Sequence, residues 1–218
     1  MKISFEKFHD ELRAVYLDVL RQSVAEAVSA GIWNSDELFW LGFTHEQDKF
    51  YVSESLGRLK KGSKGSGKFD YLESYKINDE HFAGQKVSRL HKAFDDLLNP
   101  GLDLNDDIEV DEDELDEAKE ELKTLAALVS LSLLAQEIEK NPKLLPHARH
   151  ASFHINVSGD IESPLWPAKP HFITDDEDVI EAALSALTAN AKTKDLFRRI
   201  IAASGKKKTP TIQELVRE

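Results

Sequence analysis

Between Asp103 and Glu114, oxygen-bearing side chains fall on positions 1, 3, 5, 7, 9 and 12 of a twelve-residue frame: Asp103, Asn105, Asp107, Glu109, Asp111 and Glu114. A calcium loop of the EF-hand type presents its oxygens with that spacing. Val110 supplies the apolar eighth position, but Ile108 stands at the sixth, where the sharp turn calls for glycine. The preceding residues are Asn99, Pro100 and Gly101, not an entering helix. In so acidic a tract, carboxylates reach such positions by composition alone, and a calcium-binding module at 103–114 is an alternative expectation.

A second set of metal-ligating types is His147, His150 and His154, with His171 further on. On a helix this spacing would gather the first three on one face and suit zinc. Pro146 precedes them, however, and residues 152–158 (SFHINVS) alternate as a strand does. On a strand His150 and His154 lie roughly 13 Å apart, too far to share one ion. A metal-dependent enzyme would have to combine His150 or His154 with carboxylates from elsewhere in the chain. The plainer expectation is a polar sheet face.

Gly62, Gly67 and Lys68 satisfy the G-x-x-x-x-G-K spacing of a phosphate loop. The next residue is Phe69, so the hydroxyl that would hold magnesium is missing. Residues 69–74 (FDYLES) carry no helical stripe to aim amides at a phosphate. A hairpin loop accounts for the glycines. G-x-S-x-G, H-E-x-x-H and the dinucleotide fingerprint are absent. The balance leans against an enzyme, and no cofactor is expected.

Charge is the strongest signal in the chain. Twelve of its forty acidic residues lie between Gly101 and Glu121, with Lys119 the single base among them. The remainder is nearly balanced, with 28 acids against 27 lysines and arginines. Such a belt repels nucleic acid and attracts a basic protein, speeding its encounter. Asp103, Asp106, Asp107, Glu109, Asp111, Glu112, Asp113 and Glu114 are the candidate contacts, with Trp166, set among prolines, as an aromatic anchor. The competing account is a solvated linker whose carboxylates Asp111, Asp113 and Glu114 favour the start of the next helix by about 0.3 to 1 kcal/mol each.

The chain has 218 residues and no cysteine, which excludes disulfides and thiolate metal sites and fits a reducing compartment. Its most apolar run, 125–135 (LAALVSLSLLA), is about half the length a membrane span needs. The first residues mix charge with apolar side chains, unlike a signal peptide. A cytoplasmic protein with no membrane or nucleic-acid partner is expected; oligomeric state is open.

Periodicity places these residues on elements. Phe5, Phe8, Leu12, Val15, Val19, Val24 and Ala27 mark a long helix over 4–29, which Gly31 stops. Residues 38–54 predict a β-hairpin and 80–98 a helix carrying Val87, Leu90, Phe94 and Leu97. A second long helix spans 113–140, surrounded by protein over 125–135. Thr174 with Glu177, and Thr211 with Glu214, predict capping boxes, and a short helix covers 195–203. The expected fold class is α+β: two long amphipathic helices and shorter ones on a small, mainly antiparallel sheet. One domain covers 1–204, with an acidic connection at 101–114 and a basic tail at 205–218. The function expected is a non-enzymatic binding protein for a basic macromolecule, for example a bacterial immunity protein or antitoxin.

Overall fold

The computed structural model describes residues 3–29, 85–98, 111–148 and 168–218, a few internal positions apart, together with Phe153 and Ile155. The expected α+β class is corrected by it. The described residues are all-α: 78% are helical and 3% strand, and no sheet forms among them. The hairpin expected at 38–54 lies outside them. The physical reason lies in the helices themselves. Their apolar faces are wide enough to cover one another, so the core closes helix on helix.

Six helices build this body: α1 (Phe5–Ser29), α2 (Gln85–Asp96), α3 (Glu112–Lys140), α4 (Glu177–Leu187), α5 (Ala191–Ala203) and α6 (Ile212–Arg217). Helix α1 buries Phe8, Leu12, Tyr16 and Leu20, one turn apart, flanked by Phe5, Val15, Val19 and Val24. That face is broader than the stripe of the sequence, because Tyr16 and Leu20 also turn inward. Helix α3 is the axis. Every residue from Leu125 to Ser132 is buried, as the unbroken apolar run predicts.

Ties across the helices fix their directions. His9 meets Ser130, Arg13 meets Glu137, and Arg21 meets the carbonyl of Leu144. Later residues of α1 therefore contact later residues beyond the middle of α3, and the two run parallel. Helix α2 runs antiparallel to α1: Lys86 pairs with Asp18, the Phe94 ring lies 6.0 Å from Phe8, and Ile3 bridges to Leu97. Helices α4 and α5 form an antiparallel pair, with Glu181 on Arg198 and Ser185 on Lys194.

Helix starts follow local chemistry. Asp111 caps α3, accepting from the amides of Asp113 and Glu114. Asn190 caps α5, which begins at Ala191, four residues before the expected helix. The capping box expected at Thr174 and Glu177 is a correction: Asp176 caps α4, accepting from Asp178 and Val179. An aspartate adjacent to the helix outcompetes a threonine two residues earlier. The box at Thr211 and Glu214 is present with both reciprocal bonds, and α6 buries Ile212, Leu215 and Val216. Two residues beyond α2, Leu98 has a φ of 57°, a left-handed position for a branched side chain that is fully buried. Its burial holds a conformation that costs about 1 to 2 kcal/mol in isolation.

Candidate functional site

The acidic face begins at the first turn of α3. Asp111, Glu112, Asp113 and Glu114 are all exposed there. One carboxylate oxygen of Asp111 serves as the helix cap, at 2.9 Å and 3.3 Å from the amides it accepts. Asp103, Asp106, Asp107, Glu109, Trp166 and His150 lie outside the described residues, as does the side chain of His154. The glycine-lysine loop of 62–68 lies outside them too. Among the described residues no group of three or more His, Asp or Glu is placed to hold a metal.

The next two turns add what composition alone does not show. Lys119 Nζ lies 2.8 Å from Asp116, and its side chain is 7% exposed against 62% for its partner. Lys123 repeats the arrangement with Glu120, at 2.8 Å and 12% against 63%. Each lysine lays its stem along the body and tucks its charge beneath a carboxylate. Asp116, Glu117 and Glu120 remain outside, so only negative groups face outward over these turns. Among the described residues Glu112, Asp113, Glu114 and Glu117 take part in no ion pair.

A second acidic run joins this face. The amide of Ile173 donates to Glu121 at 2.9 Å and pins the chain just before α4 against α3. Asp175, Asp176, Glu177 and Asp178 follow at once, all exposed. Ile173 itself is 63% exposed, the most exposed large apolar side chain described. The sequence contains this second run plainly, but nothing in it links residue 173 to residue 121.

The other polar constellation lies between α1 and α3. His9 Nδ1 is 2.7 Å from the hydroxyl of Ser130. One turn on, Arg13 grips Glu137 with Nε at 2.6 Å and Nη2 at 2.5 Å. A serine beside a histidine is the composition of a nucleophile and its base. Ser130 is completely buried in the middle of α3, however, and no substrate carbonyl can approach it. The pair is a packing contact. Glu137 is held below the usual carboxylate range, first by the hydrogen bonds from Arg13 and against the opposing effect of burial. Replacing Arg13 with lysine keeps the charge but removes the planar fork. An expected loss of about 0.5 to 1 kcal/mol in urea unfolding, shrinking at high salt, checks this partly exposed pair.

Among the described residues no helix is long and apolar enough to cross a membrane. No protein-family model, no curated protein and no solved structure matches the chain.

Proposed function

We propose that this chain is a cytoplasmic, non-enzymatic binding protein whose acidic face captures a basic protein, in the manner of a charge-matched neutraliser such as an immunity protein or antitoxin. The observation that supports it is the fate of the lysines in the first turns of α3. Lys119 and Lys123 turn inward beneath Asp116 and Glu120, and the outward surface is left uniformly negative. Stem burial and the i,i+3 pairs stabilise the helix modestly in any case. A steering surface gains in addition, because outward-facing lysines among the carboxylates would cancel its field. The run from Asp175 to Asp178, fastened beside it through Ile173 and Glu121, extends the same sign across a second element.

The test is a comparison between the native chain and a variant carrying Glu112→Gln, Asp113→Asn, Glu114→Gln and Glu117→Gln. All four positions are exposed, so the body stays folded. Binding to a lysine-rich polypeptide and to basic partners from the source cell is measured at low and at high salt. The native chain is expected to bind at least about tenfold faster at low salt and to lose that advantage as the screening length falls from about 10 Å at 0.1 M to about 3 Å at 1 M. If both proteins retain the same partners with the same salt sensitivity, the acidic face is not the binding surface.

A further inference from the structure

His9 sits half-buried on the first turns of α1, with its ring stacked on Phe5 at 6.0 Å and 12° between planes. Phe5 is itself met edge-on by Phe197 of α5 at 5.1 Å. The other side of the imidazole faces α3 through the fully buried hydroxyl of Ser130. A neutral imidazole fits this seat, since Nδ1 and a hydroxyl satisfy one another in either tautomer. An imidazolium fits it poorly, because apolar surroundings replace much of the water that would solvate the charge.

We propose that the seam between α1 and α3 is a proton-sensitive joint, in which uptake of one proton by His9 favours release of the first turns of α1 from α3 and α5. The charged groups around the ring are Glu6, Asp10 and Arg13 on α1 and Glu137 on α3. Burial pushes the imidazole below its ordinary value of 6.5, and Arg13 adds to this, while Asp10, Glu137 and Glu6 oppose it without overcoming it. Glu137 is already committed to Arg13 by two hydrogen bonds, and Glu6 accepts from Thr188 and Thr193. Glu137 and Glu6 are therefore largely spent on other partners, and Asp10, the strongest opposing charge, is exposed to solvent and does not outweigh burial.

The direction follows from proton linkage. Released, His9 takes up its proton near pH 6.5; seated, it does so only at lower pH. Between those two points the released state holds more proton, so acidification favours release, by up to about tenfold in the opening constant per pH unit. Above pH 6.5 the ring is neutral in both states and the joint stays closed.

The experiment combines an NMR titration of the His9 ring in the unaltered protein with hydrogen-exchange protection of α1 and of the α4–α5 pair at pH 7.5 and 5.5. A midpoint below 6.5 is expected, together with α1 protection that falls several-fold more than that of α4–α5 on acidification. His9→Gln, which keeps a hydrogen-bonding group without a titration in this range, should remove the difference. A midpoint at or above 6.5, or an equal fall in α1 protection in the Gln variant, overturns the proposal. Should that variant fail to fold, the titration and the α1 comparison in the unaltered chain still decide it.

Discussion

Replacing Phe8 with alanine is expected to cost about 3 to 5 kcal/mol of stability, read as a lowered midpoint in urea unfolding. The ring is completely buried where α1 crosses α2, with its centre 6.0 Å from that of Phe94 and its plane tilted by 53°. Its neighbours on the same stripe, Leu12 and Tyr16, are fully buried as well, so the helix cannot slide to fill the gap. Domains of this kind are stable by about 5 to 15 kcal/mol, and the loss removes a large part of that. A cost under about 1 kcal/mol would mean that α1 does not pack on α2 in this register.

Glu6→Ala is expected to cost about 1 to 3 kcal/mol of stability in the same measurement. Glu6 Oε1 accepts from the hydroxyls of Thr188, at 2.5 Å, and Thr193, at 3.1 Å. Thr188 is 2% exposed, so its hydroxyl would lose its acceptor with little water to replace it. Adding Thr188→Val to the alanine variant should recover part of the loss. The donor left without an acceptor is then gone, and the Asn190 amide that the hydroxyl also accepted from, at 3.0 Å, belongs to an exposed residue that water can reach. The same carboxylate sets an acid limit. Burial raises its pKa, but the bonds from Thr188, its own amide, Thr193 and Ser4 together outweigh burial and bring it below 4.5. The unfolded chain therefore binds this proton first. The stabilisation is present above pH 4.5 and is lost as pH falls below it, through the folded value. Glu6→Gln, which does not titrate, should show a shallower loss over that window.

What was legible in the sequence was local. The stripe of α1, the buried stretch of α3 and the box at Thr211 and Glu214 all rest on spacings of three or four residues, which a single chain displays directly. The expected sheet was a different kind of inference. It joined a short aromatic run to one alternating segment, and of that segment only Phe153 and Ile155 are described, both buried. Alternation shows which side chains turn inward; it does not show that a layer of strands organises the core. Hence the described body is all-α. The acidic face was visible as a count of charges. Its polarity was not, because the inward turn of Lys119 and Lys123 depends on which side of α3 meets the body. The meetings of His9 with Ser130 and Glu6 with Thr188 join residues 121 and 182 positions apart, and nothing nearby in the chain announces them.

The long sequence separation between α1 and the residues that seat it has a consequence for the order in which the protein can be made. Helix α1 leaves the ribosome before the residues that seat it: Ser130, Glu137, Thr188 and Thr193 follow 121, 124, 182 and 187 positions behind their partners. At about 5 to 20 residues per second, the last of them arrives roughly 10 to 40 seconds later. For that interval the face of Phe5, Phe8, Leu12 and Tyr16 lacks its later partners. The pair α4–α5 is closed by contacts only 9 and 17 positions long and can form as soon as it emerges. Among the described helices α1 is thus one of the last to be locked, and its apolar face waits longest for the partners named here.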